Sequence, residues 1–156
     1  MDTTHSAPAP ALTLAVAAVL NALTGNGMYA SPLWSADIRL PGEPGSASRA
    51  REFVRGRLAF HDLNYLVDDA ASVVSELANN AVVHAQSSFR VSLHGFERTV
   101  LLDVEDASGD QPRPRQAQAR ADNGRGLLIV RMLTSDWGVE PSTNGGKSVW
   151  AEFERR

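Results

Sequence analysis

The chain has 156 residues and a formal net charge of −3, a size that suffices for one domain with a substantial core. This charge is not that of a protein that holds nucleic acid through bulk positive charge. Cysteine is absent, which excludes disulfides, thiolate nucleophiles and thiolate metal sites. The four histidines lack the paired spacing of a zinc site, so a zinc enzyme is not expected.

Residues 1–31 differ in composition from the rest of the chain. They begin with small and polar residues and contain an apolar run at 11–23 that is too short to span a bilayer. No lysine or arginine precedes this run, although a secretory signal peptide needs a basic start. We therefore predict an N-terminal extension, either a helix at 11–23 packed loosely on the domain or an extension from an upstream start codon. The domain itself is placed at residues 32–156.

A strand and a helix are predicted next. Trp34–Leu40 alternates apolar and polar residues, which predicts a strand with one buried face. Residues 47–60 have an apolar face at helical spacing, and arginines occupy the other faces. Such a basic cluster is usually a solvated face, and a docking surface for an acidic partner is the alternative.

Residues 68–85 predict the central helix of the chain. Small apolar residues recur at helical spacing, and Asp68 and Asp69 stand where the helix dipole favours negative charge. Another stripe places Glu76 one turn before Asn80. A carboxamide oxygen is a hard, neutral ligand for a phosphate-held Mg²⁺, and a neighbouring carboxylate can take a proton from a hydroxyl. A core helix with an ordinary polar face explains the same residues equally well.

The second half of the chain predicts two hairpins separated by a long loop and a short helix. Residues 89–94 and Thr99–Asp106 read as the first hairpin, and the polar stretch 107–123 is longer than most loops of compact domains. A glycine-rich tripeptide at 124–126 opens a short apolar helix, and a last hairpin follows. This order of elements predicts an α/β fold, a two-layer sandwich with a mixed sheet and helices on one face.

The tripeptide Gly124, Arg125 and Gly126 has the character of a phosphate-binding turn. Glycines allow close approach of the backbone, and free N–H groups at a helix start attract anions. It follows a loop and lacks a third glycine, so it does not fit a dinucleotide-binding fingerprint. The later sequence GGKS does not fit a P-loop, because Pro141 stands where the first glycine is needed and a strand follows.

Asp106, at the end of its predicted strand, allows two interpretations. Aspartate often ends a strand because its side chain favours the start of a turn. A buried carboxylate beside a nucleotide could instead accept a hydrogen bond from the exocyclic amine of adenine. The residue alone does not decide between them.

Five motifs, taken in order, resemble those of one protein family. ELANNAVVHA resembles the N-box of the GHKL (histidine kinase-like) ATPases, VEDASG their first glycine box and GRGLLIV their second. With WGV and GGKSVWAEF, the set is most similar to the small single-domain anti-sigma factors that act as serine kinases. The resemblance covers roughly residues 34–153 and implies a Bergerat-type ATP-binding fold. The first box departs from the pattern D-x-G-x-G of the larger GHKL proteins, since its second glycine is displaced.

The resemblance implies a role for each motif residue. Glu76 would be the general base that activates an acceptor hydroxyl, and Asn80 would bind the Mg²⁺ that bridges the phosphates of ATP. Asp106 would hold the adenine amine, and residues 110–123 would form a lid over ATP. The other residues implied in ATP binding, at its adenine end, at its phosphates or near the pocket, are Ser108, Gly109, Gly124, Arg125, Gly126, Leu127, Lys147 and Ser148.

The same resemblance implies a cytoplasmic regulator whose cofactors are ATP and Mg²⁺. Its partners would be a sigma factor and an antagonist protein phosphorylated on serine or threonine, without direct contact to nucleic acid or membrane. A homodimer is a further expectation, because relatives often dimerise. The alternative is an ATP-dependent protein-binding switch without significant kinase activity, and the presence of both Glu76 and Asn80 favours the enzyme.

Overall fold

The structure is a computed structural model that describes residues 31–85, 87–106, 126–141 and 146–156. The described residues form one five-stranded sheet, three α-helices and a single-turn 3-10 helix (Asn64–Leu66). In chain order the elements are β1 (Trp34–Leu40), α1 (Ser46–Phe60), α2 (Val67–Ala85), β2 (Phe89–Gly95), β3 (Thr99–Asp106), α3 (126–133 as described), β4 (Asp136–Pro141) and β5 (Lys147–Glu154). Among the described helices, none is both long and apolar enough to cross a membrane.

The sheet has the strand order β1-β2-β3-β5-β4, and every pair of neighbouring strands is antiparallel. The α/β class is confirmed, but the prediction of a mixed sheet is wrong for the described strands. Strands β3 and β4 do run in the same direction, as two strands joined through a single helix tend to do. They are not neighbours, however, because β5 lies between them and pairs antiparallel with both.

The core lies between the helices and one face of the sheet, here called the helix face. Alternation along a strand sends successive side chains to opposite faces, so the inward residues of β3 are Val100, Leu102, Val104 and Asp106. The apolar members of this set join one buried cluster with residues of all three helices. Helix residues of the cluster include Ala50, Val54, Leu58, Val74, Leu77, Ala78, Ala81 and Val130.

Helices α1 and α2 are held together beyond their apolar contact. Ser75 of α2 donates a hydrogen bond to the Ala71 carbonyl at 2.8 Å and accepts one from Arg51 of α1 at 3.2 Å. In the connection between the helices, Asp62 has a φ of 58°, a left-handed conformation that aspartate tolerates better than most residues. The small alanines of α2 allow the close packing that orients its polar flank.

Candidate functional site

Helix α2 carries Glu76 and Asn80 on one flank, and both side chains are half-buried. They lie beside the strip of α2 that enters the core, which contains Leu77, Ala78 and Ala81. Only residues 86–88 separate the end of α2 from Phe89, whose register partner on β3 is Asp106. The C-terminal half of α2, with Asn80, therefore lies toward the end of the sheet at which Asp106 is located.

Gly126, at the described start of α3, lies directly against Glu76. A methyl carbon added at Gly126 would stand 2.6 Å from Oε2 and 3.4 Å from Cδ of Glu76. No side chain fits there without moving the carboxylate. The second glycine motif and the N-box-like motif, fifty residues apart in the sequence, are thus brought into contact by the fold. Leu127, the next residue, is half-buried.

Asp106 and Lys147 are register partners at the ends of two neighbouring central strands. Asp106 is buried, with 4% of its surface exposed, and it belongs to the helix face. Lys147, as its register partner, lies on the helix face as well and is half-buried. A buried carboxylate at this position is suited to accept a hydrogen bond from an amine, with opposite charge close by.

Ser148 does not join these residues. Alternation places it on the opposite face of the sheet from Lys147, where it is completely buried and donates a hydrogen bond to Oδ1 of Asp103. The role in ATP binding that the resemblance implies for Ser148 therefore does not agree with its position. Two successive residues of one strand cannot both face the helices, so of Lys147 and Ser148 only the lysine lies on the helix face.

Four residues of the predicted site, Ser108, Gly109, Gly124 and Arg125, lie outside the described residues, as does the predicted lid at 110–123. The described members of the site on the helix face are Glu76, Asn80, Asp106, Gly126, Leu127 and Lys147, which we call the front cluster. Each of these residues was predicted from a sequence motif or from the family resemblance. Their roles in binding a ligand remain predictions.

The front cluster fits a nucleotide with its metal rather than a metal held by protein alone. Among the described residues, no group of three or more histidines, aspartates and glutamates is placed to hold an ion. A single carboxamide, such as that of Asn80, suits Mg²⁺ whose other ligands are phosphate oxygens and water. The space that a side chain would need at Gly126 is filled by the carboxylate of Glu76, so the backbone of α3 approaches α2 closely there.

Two ionisable residues outside the front cluster were not predicted. Burial, reinforced by Glu105 and opposed by Arg90, raises the pKa of Asp103 to about 7. Burial and Arg90 lower the pKa of His94 to about 4, and its ring accepts or donates a hydrogen bond with Ser35 at 2.9 Å. Both lie on the face opposite the helices. The sequence contains one signal for the position of Asp103: alternation along β3 places Asp103 and Asp106 on opposite faces of the sheet.

Comparison with protein-family models identifies the family of the chain. The model of the histidine kinase-like ATPase domain matches residues 40–153, which is more than half of the chain. The matched range runs from the last residue of β1 into β5 and contains the whole front cluster. Comparison with curated proteins finds no match. The chain therefore belongs to the family of histidine kinase-like ATPase domains, which bind ATP.

Proposed function

We propose that this protein is an anti-sigma factor that binds ATP and transfers its terminal phosphoryl group to a serine or threonine of an antagonist protein. ATP binding rests on the family. The observation that supports phosphotransfer is the position of Glu76, whose half-buried carboxylate lies one turn from Asn80 and against Gly126. A carboxylate in such surroundings is placed to accept a proton from an incoming hydroxyl.

Each residue of the front cluster receives one task. The carboxamide of Asn80 would hold Mg²⁺, which when bound neutralises charge on the phosphates. Asp106 would accept a hydrogen bond from the adenine amine and so orient the base. The backbone at Gly126 would approach the phosphates, and Lys147 would add positive charge beside Asp106. Glu76 would take the proton of the acceptor hydroxyl as that oxygen attacks the terminal phosphorus and the bond to the diphosphate breaks.

A second function is favoured by the same contact. Because Glu76 lies against Gly126, its carboxylate can serve to fix α3 relative to α2 rather than to move a proton. ATP would then change the position of α3 and thereby the affinity for a protein partner, without phosphotransfer. In that function the protein is an ATP-dependent binding switch.

Isolation with its natural partners tests the proposal. The protein is purified with its partners from the native host and incubated with ATP labelled in the terminal phosphate. The proposal expects label on serine or threonine of a second, co-purified protein, and a sigma factor among the partners. If the protein binds ATP and keeps its partners but transfers no label, the kinase proposal is wrong and the binding switch is supported.

A further inference from the structure

The face of the sheet that points away from the helices, here called the back face, is buried. It is formed at its centre by β2, β3 and β5, with Ser92, His94, Leu101, Asp103, Ser148 and Trp150. Leu101 is 1% exposed, and Asp103 and Ser148 are fully buried. In a two-layer sandwich the face without helices is normally solvated. Something in the chain therefore excludes water from it.

The described elements do not account for this burial. All three described helices contribute to the core on the helix face. On the back face, the indole of Trp150 lies over Gly138 toward the β4 edge, where an added methyl carbon would be 2.7 Å from the ring. It thus extends away from Asp103 and toward the edge of the sheet. The described part of the chain offers no layer over the back face.

Polar atoms of the back face also lack partners. Asp103 receives a hydrogen bond from Ser148 at Oδ1, but its buried Oδ2 has no partner among the described residues. The indole N–H of Trp150 is likewise buried and unpaired among them. Leaving such groups buried without a hydrogen bond is unfavourable. Whatever covers this face must therefore supply both apolar contact and a few hydrogen bonds.

We propose that residues 11–23 form a helix that packs across the back face of the sheet. Among the segments that the structure leaves undescribed, only residues 1–30 contain an apolar run, whereas 107–125 has no apolar side chain larger than alanine or proline and 142–145 is too short. The run also carries Thr13 and Asn21, whose side chains can hydrogen-bond with unpaired groups on the sheet.

The dimensions agree with this placement. A helix over 11–23 is about 20 Å long. Five strands at their usual spacing are about 19 Å across, so such a helix spans the sheet. The chain joins the sheet beside β2, since the N–H of Leu33 donates to the Gly95 carbonyl at 2.7 Å. Residues 24–30 can extend about 23 Å, which is enough to reach the centre of the back face from there.

The absence of cysteine allows a direct test in the full-length chain. Ser92→Cys places a thiol on the back face, Ser48→Cys places one at an exposed position of α1, and Ala78→Cys places one in the core. We expect Ser92→Cys to react with a thiol reagent at least a hundredfold more slowly than Ser48→Cys. Equal rates for these two variants would overturn the proposal.

A charge in the apolar run should uncover the back face. Leu20→Asp is expected to speed the reaction of Ser92→Cys at least tenfold and to leave Ala78→Cys protected. Thr4→Asp, which adds the same charge outside the run, should change neither rate. No effect of Leu20→Asp on Ser92→Cys would contradict the proposal. So would protection that increases with protein concentration, because a second copy would then be the cover.

If Leu20→Asp unfolds the whole protein, a crosslink tests whether residues 11–23 lie on the back face. Ala18→Cys is combined with Ser92→Cys or, as the control, with Ser48→Cys, in an otherwise unchanged chain. A short bifunctional thiol reagent should link the first pair within the monomer and leave the second pair unlinked. Linkage of neither pair, or of both to the same extent, would show that residues 11–23 do not lie on the back face.

Discussion

Asp103 and His94 lie on the same face of the sheet, yet burial shifts their pKa values in opposite directions. The pKa of Asp103 is raised from 3.8 to about 7, so its stabilising effect is present at low pH and is lost as pH rises through that interval. The pKa of His94 is lowered from 6.5 to about 4, so its effect is present at high pH and is lost as pH falls. Their contributions to the free energy of unfolding oppose each other.

Single substitutions should therefore give stability profiles of opposite slope. Of these two residues, Asp103→Asn keeps only His94, so the free energy of unfolding should rise between about pH 4 and 6.5, by a few kcal/mol at most. In His94→Asn it should fall between about pH 4 and 7 for the same reason. Urea unfolding at several pH values measures both slopes. Parallel profiles for the two variants would show that these residues do not dominate the pH dependence.

Asp106 has the same chemistry as Asp103 but lies on the helix face, where we assign it to adenine. Asp106→Asn should leave the fold intact and weaken ATP binding by about tenfold or more, since a hydrogen bond to a charged group contributes roughly 1.5–3 kcal/mol. Asp103→Asn, on the back face, is the matched control and should bind ATP normally. Calorimetric titration with ATP measures both. Unchanged affinity in Asp106→Asn would remove this residue from the adenine site.

At the scale of elements, the contact between α2 and α3 couples Glu76 to Gly126. In Gly126→Ala the new methyl group meets the mobile end of the glutamate, so the side chain can move aside and stability should change by less than about 1 kcal/mol. The carboxylate is nevertheless displaced, and phosphotransfer should fall by about tenfold or more.

A double variant tests this coupling. If Gly126→Ala acts by moving Glu76, it should have little further effect on phosphotransfer in a Glu76→Gln background. Thermal unfolding separates this effect from loss of the fold. A drop in rate of the same factor in both backgrounds would show that the methyl group acts elsewhere.

Periodicity predicted the elements well because it is a local property of the sequence. The predicted central helix at 68–85 is α2, which begins one residue earlier, and Trp34–Leu40 and Thr99–Asp106 are strands as expected. The mixed sheet was wrong because local patterns do not report that β5 inserts between β3 and β4. Ser148 was misplaced for a different reason. Alternation along β5 already separates it from Lys147, but a motif resemblance grouped the two.

At the scale of the whole molecule, the sheet separates two surfaces with different tasks. The front cluster lies on the helix face, and the surface assigned to residues 11–23 lies on the back face. Leu20→Asp should therefore lower the thermal unfolding temperature by several degrees, while the affinity for Mg-ATP stays within about twofold wherever the protein is folded. Calorimetry and ATP titration of one sample measure both. An equal loss of nucleotide affinity and stability would contradict this separation.

The central claim is that Glu76 acts as the general base in phosphotransfer. A pair of variants on one helix tests this claim most directly. Glu76→Gln keeps the shape of the side chain but cannot take a proton, whereas Asn80→Ala removes the proposed ligand of Mg²⁺. Each variant is titrated with ATP in the presence of Mg²⁺ and then assayed for transfer of labelled phosphate to the co-purified antagonist. We predict that Glu76→Gln binds Mg-ATP normally and transfers phosphate about 10²–10⁴-fold more slowly, and that Asn80→Ala loses both activities. Transfer at the wild-type rate by Glu76→Gln would contradict the account.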